Sequence, residues 1–203
     1  MGVESFIKNL ENSPLRRRGM EYDLYMDEFL CGIMRYIDRP LAVRVYNLEI
    51  GTCYLYDSFY DNIAKFQRNN DKWSDEMQSS YVSNLFAGYT VSPILLYKIG
   101  NNTSDSKCKV LDGLQRCTAI LRFLRDDTMK IHDSNGTYIT SGDLRKYDNY
   151  DRFIGRIKQT ISVMSFNNEI EVVEYYIAMN ENITHSTDDI QRAKDYLDKL
   201  KGI

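Results

Sequence analysis

Asp112, Gly113, Gln115, Arg116 and Thr118 fall within the stretch KVLDGLQRCTAILRFL (109–124), just where a β-like run gives way to a helical pattern. A strand that runs into a glycine and then a helix brings several backbone N–H groups to one point. The donors of a helix's first turn are unpaired and its dipole is positive there, so the point attracts anions. Gly113 permits a sharp turn and a close approach of a ligand to the backbone. Arg116 adds a guanidinium fork that suits a phosphate, and Thr118 adds a hydroxyl. Asp112 repels a bare phosphate but suits a divalent cation or a water activated for attack. The set reads as a nucleotide or phosphodiester site, and the lack of G-x-x-x-x-G-K-[ST] separates it from the common P-loop. The plainer alternative is that Asp112 and Arg116 only cap and brace a helix, which chemistry by itself leaves as the default.

The elements that must position these residues are read from the flanking pattern. SPILLYKI (92–99) and KCKVL (107–111) predict two strands joined by the polar loop GNNTSDS. The helix after Gly113 carries Cys117, Ile120, Leu121 and Leu124 on one face. Residues 75–88 predict a helix with Ser74 as N-cap and Gly88 as its stop. Asn135-Gly136, between MKIH and TYIT, predicts a hairpin. The strand QTISVMSF precedes two terminal helices, the last with capping-box spacing from Ser186 to Asp189.

Nearer the start, Tyr22, Tyr25, Met26, Phe29, Leu30, Ile33, Met34 and Ile37 recur at three-four spacing and predict an amphipathic helix over 21–37, closed by Pro40. Its apolar face needs a partner, either this domain's own core or a second subunit in a homodimer. Before it, residues 1–20 read as a loose arm whose Arg16, Arg17 and Arg18 form a solvated basic turn rather than a phosphate-contacting one. A β pattern runs from Leu41 to Leu55. The expectation is one α+β unit: an arm and helix over 1–40, and a small mixed sheet with flanking and C-terminal helices over 41–203.

A formal net charge of −3 excludes overall basic character, so nucleic-acid binding requires a local basic patch. No apolar run approaches the ~20 residues that span a bilayer, and the first residues lack the pattern of a secretory signal. Cys31, Cys53, Cys108 and Cys117 form no C-x-x-C pair and read as free thiols of a reducing cytosol. With only His132 and His185 besides, a structural zinc site is not expected. Cys117 adjoins Arg116 at a helix start, a place that lowers a thiol pKa, yet it lies on the apolar stripe and reads as buried and inert. Trp73 reads as a core anchor, and the sixteen tyrosines as core-face residues rather than stacking platforms.

Taken together, IAKFQRNNDKWSDEMQSSYVSNLFAGYTVSPILLYKI and VLDGLQRCTAILRFL resemble the ParB/sulfiredoxin-like domain at the N-terminus of GmrS/GmrD modification-dependent restriction enzymes and related DNA-defence proteins. The family's Phe/Tyr-Gln-Arg triplet corresponds to Phe66, Gln67 and Arg68, followed by Trp73, Gly88, Pro93 and Ile94. Its Asp-Gly-Gln-Gln-Arg hallmark falls on Asp112, Gly113, Leu114, Gln115 and Arg116, with Leu114 standing where the first glutamine is usual. NGTYITSGDL and EYYIAMNENITHSTDDIQRAK are similar to the family's later segments, so the resemblance spans roughly residues 55 to 200.

The resemblance implies a ParB-like fold, a nucleoside triphosphate and a divalent cation such as Mg²⁺ as cofactors, and DNA as a partner. Asp112, Gln115 and Arg116 become the expected catalytic set, with Asp112 toward the metal. Gln67, Arg68, Gly113 and Thr118 become the expected nucleotide contacts. The implied activity is cleavage of an NTP or a phosphodiester at the DGLQR turn, in DNA metabolism, defence or counter-defence. Two alternatives accompany it: a ParB-fold kinase acting on a hydroxyl such as that of a modified base, and a non-catalytic DNA- or protein-binding regulator. Many relatives continue into an HNH nuclease domain; no HNH cluster follows Arg116 here, so a stand-alone copy is expected.

Overall fold

The computed structural model describes residues 20–25, 63–67, 72–89, 91–100, 109–150, 153, 156–181 and 187–202. They form a mixed α+β structure around a four-stranded sheet. In chain order the elements are β1 (Met20–Tyr25), α1 (Asp75–Phe86), β2 (Ile94–Ile99), β3 (Lys109–Asp112) and α2 (Leu114–Arg125). Then come β4 (Lys130–His132), β5 (Tyr138–Thr140), α3 (Ser141–Arg145), β6 (Lys158–Phe166), α4 (Glu169–Asn180) and α5 (Thr187–Lys201). The sheet order is β1-β6-β2-β3, so β3, which carries the acid of interest, is an outer strand. β2 runs parallel to β6 and antiparallel to β3, while β1 runs antiparallel to β6.

Period-2 alternation explains why both faces of this sheet are covered. Ile94, Leu96, Val110, Ile161 and Val163 enter one buried cluster with Val82 and Leu85 of α1 and Cys117, Ile120 and Phe123 of α2. Tyr97, Leu111, Met164 and Phe166 enter the other, with Val172, Val173 and Tyr176 of α4 and Ala193 of α5. Helices therefore pack on both sides, and successive residues of one strand serve different cores.

Local signals decide the element ends. Ser74 accepts a hydrogen bond from the Met77 N–H at 3.3 Å and starts α1. Gly88, at φ +79°, stops it in a conformation that only glycine adopts without strain. The Asn135-Gly136 turn joins β4 to β5, with the Asp133 N–H on the Thr137 carbonyl at 2.9 Å. Asn168 accepts from the Glu171 N–H at 3.0 Å and opens α4.

One expectation is corrected. The helix expected over 21–37 does not begin there: Met20–Tyr25 is a strand, registered from Met20 opposite Val163 to Tyr25 opposite Lys158. In so short a run, Met20, Tyr22 and Leu24 alternate with Glu21 and Asp23, and period 2 fits as well as period 3.6. The ladder with β6 supplies the backbone partners that settle the choice. A helical dimer face from Tyr22 to Ile37 therefore loses its first turn, and residues 26–37 lie outside the described residues. So do the β pattern of Leu41–Leu55 and the capping serine Ser186. No helix among the described residues is long and apolar enough to cross a membrane.

Candidate functional site

β3 delivers Asp112 to the end of the sheet, and the chain turns at once into α2. Gly113 occupies the N-cap position at φ +99° with no side-chain cap. Its carbonyl already accepts the Cys117 N–H at 2.9 Å. The first-turn amides of Leu114, Gln115 and Arg116 precede any intrahelical donation, which is the arrangement that favours an anion.

A cavity of about 180 Å³ opens at this turn. Asp112, Gly113, Leu114, Gln115 and Arg116 line it, together with Gln67. Trp73, Tyr176 and Asn180 complete the wall. Two larger clefts exist among the described residues, about 410 Å³ along α5 and about 480 Å³ beside Tyr147, but neither holds a residue of the turn. Chemistry rather than size therefore selects the smaller one.

The charged pair at the turn is closed on itself. Arg116 Nη2 donates to Asp112 Oδ2 at 2.6 Å, one helical turn apart. The arginine side chain is 14% exposed and the aspartate 37%, so the guanidinium is the more enclosed partner. The bracing role that chemistry offered as the plain alternative is thus present. It coexists with a cavity that both side chains line.

Gln115 is 3% exposed and lines the cavity. Gln67, at 6% exposure, donates through Nε2 to the carbonyls of Val110 and Leu111, at 3.1 and 2.5 Å. It is brought to the turn by the segment 63–67, which meets β3 through a parallel bridge between Ile63 and Val110. Thr118 does not line the cavity; its hydroxyl donates to the Leu114 carbonyl at 3.0 Å within α2. Arg68 lies outside the described residues. Burial pushes the Cys117 thiol far up, outweighing the nearby Arg116, in keeping with an inert core cysteine.

Three wall residues were not among the expected site residues. Trp73 packs against the α1–α2 core, its ring 5.4 Å from that of Tyr81, and lines the cavity as well. Tyr176 and Asn180 lie one turn apart at the end of α4, with Asn180 Nδ2 on the Tyr176 carbonyl at 2.7 Å. Asn180 is 4% exposed, and that burial, which the sequence does not carry, is what sets it apart from a surface asparagine.

The donor set also bears on a metal. Among the described residues no three His, Cys, Asp or Glu side chains gather to hold an ion. Among the described residues Asp112 is the one carboxylate on the cavity wall, which fits a cation whose remaining ligands are phosphate oxygens and water, not an all-protein cage.

The sequence model of the N-terminal domain of GmrSD restriction endonucleases matches residues 52–201. The chain belongs to this family. The match contains every described element from α1 to α5, and with them the whole cavity wall. It sets the chain in the context of DNA restriction. No curated protein and no solved structure matches the chain.

Proposed function

We propose that this chain is a nucleotide-binding domain of a DNA-restriction system that cleaves a phosphoanhydride or phosphodiester at the 112–116 turn. The observation that carries the reading is the single cavity uniting the carboxylate of Asp112, the first-turn amides of α2, the guanidinium of Arg116 and the buried amide of Gln115. Arg116 and the amides hold a phosphate; Asp112 takes the proton of a water that attacks phosphorus as the bond to the leaving oxygen breaks; Gln115 orients the attacked group. Asp112 is the side chain that would hold a divalent cation, which would supply neutralisation of phosphate charge.

The same groups serve a phosphotransferase if a hydroxyl replaces the water, and product analysis tells the two apart. The binding-module reading is favoured by the closed Asp112–Arg116 pair, which lets the turn be a brace alone. Calorimetry with each of the four NTPs and Mg²⁺, followed by product analysis with and without DNA, tests all three. Binding that Arg116→Ala weakens in a folded protein, with release of phosphate or pyrophosphate, supports the enzyme. Equal binding by wild type and Arg116→Ala removes the turn as the site.

A further inference from the structure

The Gln67 side chain has two N–H donors, and both are committed. They reach the carbonyls of Val110 and Leu111, the two residues immediately before Asp112, from 43 and 44 positions away in sequence. Nothing is left on that nitrogen for a phosphate oxygen, and the remaining amide oxygen is an acceptor, which a phosphate oxygen does not bind. The residue's own backbone is pinned. Its N–H donates to the Ala64 carbonyl at 2.9 Å, and Arg192 of α5 donates to its carbonyl at 3.3 Å. Its neighbour Phe66 is fully buried, with the rings of Tyr97, Tyr176 and Tyr196 at 6.2, 5.1 and 6.1 Å. A rigid anchor thus presents a two-pronged donor to the last peptide groups of an outer strand.

We propose that Gln67 is a positioning residue, which fixes the end of β3 and so the place of the Asp112 carboxylate relative to the Gly113–Arg116 turn, and that it makes no contact with the phosphate. The consequence for catalysis rests on the phosphoryl-cleaving reading of the turn. The clasp itself does not depend on that reading, so the two can fail separately.

The free wild-type protein is tested first, by NMR. Scalar couplings across the hydrogen bonds should link Gln67 Nε2 to the carbonyl carbons of Val110 and Leu111. Both side-chain protons should exchange slowly, and both couplings should persist when ATP and Mg²⁺ are added. Missing couplings, fast exchange or couplings lost on adding ATP overturn the proposal. Gln67→Met and Gln67→Glu then keep the length of the side chain and remove the donors. In folded variants the Arg116 Nε–H resonance should move as its pairing with Asp112 changes, and kcat for ATP should fall by about 10²-fold with Kd held. A rise in Kd at unchanged kcat, or an unmoved Arg116 resonance, overturns it. If wild type neither binds nor cleaves any NTP, the proposed function fails, and the couplings with the Arg116 resonance still decide the positioning role. If neither variant folds, the wild-type couplings and their response to ATP decide it alone.

Discussion

Replacing Gly113 by alanine probes backbone and site in one change. The residue sits at φ +99°, where an L side chain is strained by about 1–3 kcal/mol. A methyl group there would also meet Arg116 Nε at 3.0 Å, Ile94 Cγ1 at 3.2 Å and Arg116 Nη2 at 3.3 Å. The guanidinium is the mobile end of a long side chain, so it yields cheaply, but yielding takes it off Asp112 Oδ2, which it now meets at 2.6 Å. Stability and binding should therefore both suffer, for different reasons. Gly136→Ala is the control, because Gly136 has φ +78° and nothing within 4 Å of the added methyl. At about 2–4 °C per kcal/mol for a domain of this size, each variant should lose about 2–12 °C in Tm from strain. Only Gly113→Ala should also weaken ATP binding by calorimetry. Equal Tm losses with ATP affinity unchanged in both would refute the view that the turn holds Arg116 ready for a ligand.

Phe66→Ala should destabilise the protein by about 3–5 kcal/mol in urea unfolding, since the ring is wholly buried among three tyrosines; a loss below 1 kcal/mol would mean the 63–67 segment is not anchored through it. Cys117 should resist alkylation until the domain unfolds, because burial raises its thiol pKa and excludes reagent; peptide mapping that finds it modified in native protein would contradict its place in the core. Asp112→Asn should abolish NTP cleavage while nucleotide affinity holds or rises, because the group competing with the phosphate for Arg116 has lost its charge. Cleavage at the wild-type rate would take Asp112 out of the chemistry.

The elements around the turn were legible because several independent local rules agreed on each. Ser74 and Gly88 bracket α1, Asn135-Gly136 makes the hairpin, and the apolar stripe of α2 starts at the glycine that turns the chain. The first strand was not legible. Six residues are too few for helical and strand periods to diverge, and the decisive term, pairing with β6 nearly 140 residues later, leaves no mark in the local sequence. The site divides the same way. Asp112, Gly113, Gln115 and Arg116 are contiguous, and the cavity takes them together. Tyr176 and Asn180 come to it only because α4 packs across the sheet, and Trp73 only because a core aromatic also borders a void. Gln67 was legible as a polar residue near the turn, but its hydrogen bonds to the Val110 and Leu111 carbonyls were not, because a carboxamide reads alike whether it faces a ligand or a strand.

Leu114 stands at the first position of α2, where the resemblance implies a glutamine, and is 4% exposed. Its side chain belongs to the cluster with Val82, Ile94 and Cys117 and also forms part of the cavity wall. A glutamine against that apolar cluster would need a hydrogen-bond partner from the cavity side, at a cost of about 1–3 kcal/mol if it found none. Leucine removes that need and one polar wall group with it, while the backbone N–H at 114 stays where the helix start puts it. In the proposed function the anion-attracting part of the turn belongs to the backbone and to Arg116, and the proton-handling part to Asp112. The side chain at 114 contributes to neither, so a leucine there shapes one wall and leaves the proposed phosphate-holding geometry in place. What decides between enzyme and binding module is whether Asp112 leaves Arg116 when a phosphate arrives.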